Sequence, residues 1–481
     1  MILQENIIID TDAYKLTHWK QHLSNLQKMY SYGEARTGSK YDWITFFGLQ
    51  MVLKDHFVGQ VITLEKIEEA ERYASFWFGK DYNYFNKTAW VEILKRYDGK
   101  LPMKIKAVPE GKIVNKSNVL FTMESLDPLF APLLNSMETL ITHTWYPIVV
   151  ATHGLHILKN IYPYYRDSNA LDMLMYAIND FGFRGTSCFQ EAYRGGAAQL
   201  LNGYGSDTTV GDRALDIYYH KNHPRLISVL ASEHSVPTSF GPDKEVEYVL
   251  HLLDVTPDDA IISCVGDSYD IYNFARNVLG HEEVKSKIIA RTGRFVLRPD
   301  SGNPIEVNLT LLPILAEVFG YIFHNGYKVI NHNVGLIQGD GMNINSITEL
   351  YKAVCNDGWS AANIVVGSGG GLLREHTRDD ISFAIKASYA EYSDGPINIQ
   401  KNPVTSSGKK SKTGQMKLVP GYTSNKLTNY MTVNHMDLAY DGYKDTLETV
   451  FDTGELVKDY TFEEILNNYS LDKFLKEMNN E

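Results

Sequence analysis

Short apolar, β-rich runs alternate with helical stretches through the middle of the chain, and this alternation constrains the fold more than any other feature. The runs occupy residues 174–178, 226–231, 260–265, 294–298, 334–338 and 363–366. Short buried strands that alternate with helices are typical of parallel βα units, because each parallel crossover needs a connecting helix. The pattern predicts an irregular α/β barrel of parallel strands, with a doubly wound open sheet as the alternative.

Polar or unusual residues follow each of these runs. The successive loops read NDFGFRG, SEHS, GDSYD, PDSGNP, GDG and GSGGG. In both candidate folds the carboxyl ends of the parallel strands meet at one edge, which is where ligands bind. We therefore expect these loops to build the functional site.

The N-terminal third predicts a mixed α+β domain. Thr63 is a suitable N-cap for a helix that ends at Gly79. One side of that helix carries Ile67, Ala70, Tyr73, Ala74 and Trp77. The runs MKIKAVPEG and IVNKSNVLFTME alternate apolar and polar residues, as strands of a half-solvated sheet do.

Beyond the barrel the pattern changes again. The stretch SSGKKSKTGQ is too polar to form a core and is predicted to be a mobile loop, and the tail from Thr461 to Glu481 is predicted to be helical. We expect three divisions: a mixed α+β domain over residues 1–150, the barrel over 151–385, and a basic loop and C-terminal segment over 386–481. The last division is expected to pack back on the N-terminal domain.

Composition excludes several classes of protein. The 481 residues include 46 basic and 58 acidic side chains, and the net charge of −12 argues against general nucleic-acid binding. No apolar run approaches the roughly 18 residues of a membrane span, and the start, MILQENIIIDTDAYK, has neither the basic n-region nor the long apolar h-region expected of a signal peptide. We expect a cytoplasmic protein without membrane contact. Cys188, Cys264 and Cys355 have no CxxC spacing, which predicts core or near-core thiols rather than disulfides or a zinc site.

The glycine-rich loop GSGGGLL, residues 367–373, follows the last apolar run. Its backbone amides can form a nest for a phosphate, although a tight loop without a ligand has a similar composition. The loop matches neither the Walker A pattern nor the GxGxxG fingerprint. A P-loop kinase and a standard Rossmann dehydrogenase are therefore disfavoured.

Carboxylates and cations accompany that loop. Asp267, Asp270, Asp300 and Asp340 follow three other runs, where carboxylates either shape turns or hold ribose hydroxyls or a hydrated Mg²⁺. An acidic protein that gathers cations near a glycine-rich turn is suited to bind a polyphosphate. The cations are Arg184, Arg298, Arg374, Arg378, Lys386, Lys401, Lys409, Lys410 and Lys412. Lys410 and Lys412 are individually predicted to be solvated surface charges.

Two further side chains in these loops have both a structural and a functional interpretation. His234 in SEHS is either a hydrogen-bonded structural histidine or a catalytic one. Phe181 shares its loop with Arg184 and either belongs to the core or stacks on a planar ring.

The chain closely resembles the nicotinamide phosphoribosyltransferase family in the segments TDAYKLTHWKQ, YSYGEAR, DFGFRG, GSDT, ASEHS, DSYDIYN, RPDSGNP, QGDG, GSGGGLL and TRD. The resemblance extends from about Asp10 to Phe462. It implies a type II phosphoribosyltransferase of NAD salvage. In that reaction nicotinamide displaces pyrophosphate from C1 of phosphoribosyl pyrophosphate and forms nicotinamide mononucleotide.

The resemblance also implies residue roles on the ribose and phosphate side. Asp270 and Asp300 would serve the ribose and Mg²⁺. The phosphates would be bound by Arg36, Arg184, Arg378, Lys386, Lys401 and Lys409. Ribose and the 5′-phosphate would be held by Asp12, Ser228, Gly339, Asp340, Gly369 and Gly370. These charges suit the reaction, because the leaving pyrophosphate is strongly anionic and C1 develops positive charge.

The base site is implied to be shared across a homodimer. The pyridine ring would lie between Phe181 and Tyr14 of the partner subunit, close to Arg298. Asp207 in GYGSDT would accept from the carboxamide NH₂ and repel nicotinate. His234 would be phosphorylated by ATP, a co-substrate whose hydrolysis pulls synthesis forward. The chain departs from the family pattern at Gly266 and Ala384, where serine is usual, and so lacks two hydroxyls near the phosphates.

Two competing interpretations remain open at this level. One is a nicotinate phosphoribosyltransferase with the same fold, against which Asp207 argues. The other is a non-catalytic binding protein on the same scaffold, against which the retained charged positions argue.

Overall fold

The computed structural model describes residues 4–405, 410–421 and 429–479. The chain divides into two compact units. The first unit comprises Met1–Thr152, Leu215–Asn222 and His376–Phe474, and the second comprises His153–Ala214, His223–Glu375 and Leu475–Glu481.

The strands alternate with the helices along most of the chain. They are β1 (Leu26–Ala35), β2 (Trp43–Thr45), β3 (Met103–Ala107), β4 (Ile113–Asn115), β5 (Val119–Ser125), β6 (Ile178–Asp180), β7 (Leu230–Ala231), β8 (Ile262–Val265), β9 (Phe295–Arg298), β10 (Tyr321–His324), β11 (Tyr327–Ile330), β12 (Val334–Gln338), β13 (Ile364–Ser368), β14 (Phe383–Tyr392), β15 (Gly395–Asn398), β16 (Met416–Pro420), β17 (Tyr430–Asn434), β18 (Glu448–Asp452) and β19 (Glu455–Leu456).

The α-helices are α1 (His18–Gln21), α2 (Leu49–His56), α3 (Leu64–Phe78), α4 (Lys87–Tyr97), α5 (Glu138–Thr142), α6 (Trp145–Asp167), α7 (Phe189–Gln199), α8 (Thr209–Tyr219), α9 (Ser235–Phe240), α10 (Glu245–Val255), α11 (Ile271–Asn273), α12 (Glu282–Ala290), α13 (Pro304–Phe319), α14 (Ile344–Asn356), α15 (Gly370–Leu373), α16 (Phe462–Tyr469) and α17 (Leu471–Met478). Short 3₁₀ turns include Ala13–Thr17, Leu171–Tyr176 and Arg378–Ile381. Within the described ranges no helix is both long and apolar enough to cross a bilayer.

The second unit is built on a parallel sheet with the order β6-β13-β12-β9-β8-β7. Isolated parallel bridges continue the pairing from Asp180 to Ser206 and from Gly205 to Ile227. Because Ile227 leads into β7 at the other end of the strand order, the sheet curls round toward its own edge. Buried strands such as β8 and β12 form its core. The predicted fold class, a parallel α/β barrel with an additional α+β domain, is confirmed.

The strand predictions in this unit succeed where both strand faces are buried. The runs at 260–265, 294–298, 334–338 and 363–366 become β8, β9, β12 and β13. The run at 174–178 was assigned too early, because a 3₁₀ turn occupies Leu171–Tyr176 and β6 begins at Ile178. The run at 226–231 provides only the two-residue β7, whose side chains are exposed.

One element of the second unit was missed by the sequence analysis. Strands β10 and β11 form an antiparallel hairpin in which His324 is paired with Tyr327. The turn residues Asn325 and Gly326 have φ values of 48° and 84°. Asn-Gly is the preferred sequence for such a two-residue turn, so FHNGYK contained the signal.

The first unit contains an antiparallel sheet with the order β15-β14-β1-β5-β3-β18-β19. The late strand β18 pairs with β3. Strand β3 alternates buried and half-buried residues as predicted, but β5 is buried at nearly every position, so the half-solvated prediction was wrong for β5. Strand β5 lies between β1 and β3 in this sheet, and β16 and the 3₁₀ turn Ala131–Ser136 also contact it, so little of its surface is left to solvent.

The helix predictions in the first unit are confirmed. The Thr63 side chain accepts a hydrogen bond from the Lys66 N–H at the start of α3, and the helix ends before Gly79. The C-terminal tail forms α16 and α17, which are separated by Ser470 at a φ of 44°. The end of the tail, residues 480–481, lies outside the described residues.

The basic stretch after β15 differs from its prediction. Residues 406–409 of that stretch lie outside the described residues. Lys412 is not a solvated charge, because its Nζ pairs with the buried carboxylate of Glu34 and its N–H donates to the Tyr32 hydroxyl. Ser411 is buried and bonded to Lys401 through two hydrogen bonds of 2.9 Å. The sequence pattern could not reveal the carboxylate that neutralises Lys412.

The cysteines are free thiols in different environments. Cys264 is buried on β8, and burial raises the pKa of its thiol to about 12. Cys355 is partly buried, whereas Cys188 is exposed, so the prediction of a core position was wrong for Cys188. Cys188 directly precedes α7, at a loop where the chain is solvated.

Candidate active site

A cavity of about 740 Å³ lies in the second unit, where the carboxyl ends of the parallel strands converge. Side chains or backbone from the loops after β6, β9, β12 and β13 all reach it. Its lining includes the predicted site residues Phe181, Arg184, Asp207, Ser228, Arg298, Asp300, Gly339, Gly369 and Gly370. The structure therefore brings these sequence-distant residues into one concave site.

Asparagine and aspartate caps hold the loops that surround this cavity. Asn303 accepts from the N–H groups of Ile305 and Glu306 at the start of α13. Asn343 forms a capping box with Ser346 at the start of α14. Caps of this kind satisfy the first backbone donors of a helix and fix where the preceding loop ends.

Phe181 forms part of the cavity wall. Its N–H donates to the Ser368 carbonyl at 2.9 Å, which attaches the loop after β6 to the end of β13. The ring lies directly over Gly367, where an added Cβ would approach Phe181 Cε2 to 2.0 Å. Glycine is therefore the residue that allows the ring to occupy this place. The half-buried ring is available to stack on a planar ligand.

Asp207 presents a carboxylate to the same cavity. Ser228 Oγ donates to Asp207 Oδ1 at 2.5 Å, and the Asp207 N–H donates to the Asp180 carbonyl at 2.9 Å. The carboxylate is thus oriented by a hydroxyl on one side and by its own backbone on the other. It remains exposed enough to accept a hydrogen bond from a ligand.

His234 lies beside two aspartates. Its Nε2 is 2.9 Å from Asp267 Oδ1, and its Nδ1 is 3.9 Å from Asp300 Oδ2. The Asp267 side chain is only 5% exposed, and its second oxygen accepts from Ser301 Oγ at 2.6 Å and from the Asp300 N–H at 3.0 Å. Asp267 therefore fixes both the imidazole and the loop that carries Asp300.

Sequence reasoning noted Asp267 as part of an acidic loop but chose Asp270 for the site. The structure gives Asp270 a different contact, because its carboxylate accepts from the N–H groups of Tyr272 and Asn273 as the cap of α11. Asp270 and Asp340 do not line the cavity. The sequence GDSYD alone does not show which of its two carboxylates, Asp267 or Asp270, faces His234.

Arg298 supplies a positive charge at the cavity. Its side chain is 15% exposed, and Nη2 lies 3.8 Å from Asp300 Oδ2. Its buried Nε has no hydrogen-bond partner among the described residues. A guanidinium held in this way retains donors for a bound ligand.

The oxygen-bearing side chains that line the cavity are compatible with Mg²⁺ binding. No cluster of three or more His, Cys, Asp or Glu side chains in the described ranges has the arrangement of a metal site. Mg²⁺ needs fewer protein ligands when substrate phosphates and water complete its octahedron. The carboxylate of Asp300, which faces the cavity, is suited to such a shared coordination.

Arg36, Arg378, Lys386 and Lys401 lie in the first unit, whereas Arg374 belongs to the second. Burial lowers the pKa of Lys386, and the nearby charges of Arg36, Lys401 and Arg378 lower it further, against the opposing effect of Glu138. Such crowding of like charges makes the surface around Lys386 locally positive. A bound anion would reduce the repulsion between these charges. Lys409 lies outside the described residues.

Tyr14 and Asp12 also lie in the first unit, at the 3₁₀ turn Ala13–Thr17. Tyr14 is 59% exposed. Asp12 accepts from Thr139 Oγ1 at 3.2 Å and lies 3.5 Å from Lys15 Nζ. The turn is therefore anchored while the tyrosine ring stays in solvent.

Gly266 and Ala384, the two positions at which the chain departs from the family pattern, lie in different surroundings. A side chain at Gly266 would meet Leu297 Cδ1 at 2.7 Å and Phe274 Cδ1 at 2.8 Å, so position 266 faces apolar packing. Ala384 is buried on β14 opposite Glu34. A serine at 266 would need those neighbours to move.

Comparison with known proteins finds two matching family profiles and a relative that covers nearly the whole chain. The profile of the nicotinate phosphoribosyltransferase (NAPRTase) family matches residues 176–455, and that of the nicotinamide phosphoribosyltransferase N-terminal domain matches residues 6–105. A nicotinamide phosphoribosyltransferase of Xanthomonas campestris pv. campestris is 34% identical over 96% of this chain and 97% of its own length.

Solved structures show the same fold. A nicotinate-nucleotide pyrophosphorylase from Pyrococcus furiosus covers 98% of both chains with a TM-score of 0.60 and 15% identity. The human nicotinic acid phosphoribosyltransferase covers 96% of this chain and 93% of its own, with a TM-score of 0.51 and 13% identity. The extent of the profile match and the 34% identity over nearly the full length show that the chain belongs to the nicotinate phosphoribosyltransferase family.

Proposed function

We propose that the protein is a nicotinamide phosphoribosyltransferase of NAD salvage, which forms nicotinamide mononucleotide and pyrophosphate from nicotinamide and phosphoribosyl pyrophosphate. The observation that carries this proposal is the Asp207 carboxylate in the same cavity as the Phe181 ring, Arg298 and Asp300. This cavity offers a flat apolar surface for a pyridine ring and an acceptor for an amide.

Selectivity for the amide follows from charge. The carboxamide NH₂ of nicotinamide donates to Asp207, whose other contact is the Ser228 hydroxyl. The carboxylate of nicotinate has no proton to donate and is repelled by Asp207. A nicotinate phosphoribosyltransferase is the second candidate, and this carboxylate disfavours it.

Charged side chains on the ribose side of the cavity are proposed to stabilise the charge that develops during transfer. As the bond from C1 to pyrophosphate lengthens, positive charge on the ribose is offset by Asp300, while Arg298 limits the excess of negative charge. Mg²⁺ would supply charge neutralisation for the pyrophosphate, with Asp300 as its protein ligand. Arg36, Lys386, Arg378 and Lys401 are proposed to bind phosphate oxygens.

ATP coupling is proposed to act through His234. Asp267 holds one imidazole nitrogen, which leaves the other as a nucleophile for the γ-phosphoryl group of ATP. The N–P bond forms as the bond from the γ-phosphorus to the bridging oxygen breaks, and ADP leaves. Hydrolysis of the phosphohistidine releases phosphate and restores the histidine.

The working enzyme is proposed to be a homodimer in which each ring site is completed by Tyr14 of the partner subunit. Support comes from the exposure of Tyr14, whose ring is presented to solvent from an anchored turn. A tyrosine in this position is available to an adjoining subunit.

One assay tests the proposed function directly. Purified protein is supplied with phosphoribosyl pyrophosphate, Mg²⁺ and either nicotinamide or nicotinate, and mononucleotide formation is followed for each base. Faster turnover with nicotinamide is the expected result. Preference for nicotinate would select the second candidate, and no product from either base would support the non-catalytic interpretation.

Asp207→Asn tests how the amide is recognised. Loss of a charge-assisted hydrogen bond should cost about 1 to 3 kcal/mol of transition-state binding for nicotinamide and should relax the rejection of nicotinate. The ratio of kcat/KM values for the two bases is the measurement. The exposed Asp259→Asn variant serves as control, and an unchanged ratio in Asp207→Asn would remove Asp207 from the base site.

A further inference from the structure

A second carboxylate lies directly behind the wall of the cavity. Asp180, at the end of β6, is fully buried and does not itself line the site. Its chain neighbours Asn179 and Phe181 do line it, as do Ser206 and Asp207 on the adjacent segment. Asp180 pairs with Ser206 through a parallel bridge.

Asp180 fixes both walls of the base site. Its Oδ1 accepts from the Gly182 N–H at 2.7 Å, which sets the turn that follows Phe181. Its carbonyl accepts from the Asp207 N–H at 2.9 Å. An added Cβ at Gly182 would be 2.9 Å from Asp180 Oδ1 and 2.6 Å from Leu373 Cγ, so the turn fits closely around this carboxylate.

The charge of Asp180 is unusual for so enclosed a position. Burial raises the pKa of Asp180 to about 6, the N–H of Gly182 and the hydroxyls of Thr208 and Ser206 oppose that rise, and the charge of Asp207 adds to it. Above that pKa the group is ionised, so at neutral pH its negative charge adds to that of Asp207 on one side of the cavity. In a poorly solvated site such charges act on a ligand with little screening.

We propose that Asp180 is a second specificity-determining residue of the base site, which positions Phe181 and Asp207 and adds a negative charge that disfavours an anionic pyridine carboxylate. The inference rests on the proposed function, because it concerns discrimination between nicotinamide and nicotinate. It assigns rejection of nicotinate to a pair of carboxylates rather than to Asp207 alone.

Asp180→Asn separates the charge from the structural contact. The amide oxygen of asparagine can still accept from the Gly182 N–H, so the turn is kept while the charge is lost. Asp212→Asn is the matched control, because Asp212 also accepts backbone N–H groups, from Arg225 and Leu226, but neither of its chain neighbours lines the cavity. Asp180→Ser provides the same loss of charge if asparagine at 180 does not give folded protein.

Calorimetric titration of the full chain with nicotinamide and with nicotinate, near pH 7.5, measures the effect. We expect nicotinate to bind about tenfold more tightly to Asp180→Asn, with nicotinamide affinity changed less than about threefold. The ratio of kcat/KM values for the two bases should move toward nicotinate in the same direction as the affinities. A purely structural residue would weaken both bases together, and that result would overturn the inference.

The two hypotheses fail in different ways. If the wild type turns over nicotinamide and the base ratio of Asp180→Asn equals that of Asp212→Asn, the inference is wrong and the proposed function stands. If the affinity ratio shifts but no mononucleotide forms, the inference stands and the proposed function is wrong. Failure of the wild type to bind either base overturns both.

Discussion

Replacing His234 with alanine is expected to abolish ATP hydrolysis and the ATP-driven gain in the rate of mononucleotide synthesis. The imidazole held by Asp267 is the phosphoryl acceptor in the proposed cycle, and alanine removes its nucleophilic nitrogen. Slow synthesis that does not depend on ATP should remain, because the base and ribose sites are intact. Release of phosphate from ATP and synthesis with and without ATP are the measurements.

Two further variants refine this test. Exposed His281→Ala is the matched control and should keep ATP hydrolysis. Asp267→Asn should slow phosphorylation by at least about tenfold, because an amide can donate to the imidazole and favour the wrong tautomer. Acid-labile, base-stable phosphate on the wild type but not on His234→Ala would support the cycle. Equal ATP hydrolysis in both would return His234 to a structural role.

Mixing two inactive variants should restore activity if the ring site is shared. Tyr14→Ala and Asp300→Ala each damage every site of their own homodimer. In a mixed dimer one site draws Asp300 from one chain and the tyrosine from the other, so random exchange should restore about one quarter of wild-type activity. Activity is measured after the mixed subunits have re-equilibrated.

The control for this experiment uses two residues of the same unit. Phe181 and Asp300 both line the cavity of the second unit, so Phe181→Ala mixed with Asp300→Ala leaves no intact site in any combination. That mixture should stay inactive. If the Tyr14→Ala and Asp300→Ala mixture also stays inactive, each site is built from a single chain.

The sequence predicted the parts of the fold that depend on burial alone. Strands β8, β9, β12 and β13 are short buried runs, and their length and β-branched residues favour a strand over a buried helix. The run at 226–231 forms only the short strand β7 because Ile227, Val229 and Ala231 line the open cavity rather than a core. Apolar composition does not distinguish these two situations.

The site residues could be predicted only as far as the sequence shows which loops lie together after the parallel strands. The βα pattern placed the loops after the strands at one edge, and residues from Phe181 to Gly370 do line one cavity. The choice between Asp267 and Asp270 was beyond the sequence, because it depends on which way each side chain turns after β8. The partner of Lys412 was likewise hidden, since Glu34 lies on a strand 378 residues away.

The contact between Phe181 and Gly367 limits how this pocket can change by mutation. Even a methyl group at 367 would collide with the ring, and the backbone beneath it is locked into β13. A variant there would have to move the ring, and with it the base that is proposed to stack on the ring, in a single step. Changes in base preference, whether by natural drift or by selection against an inhibitor, should therefore arise at the opposite wall around Asp207 and leave position 367 untouched.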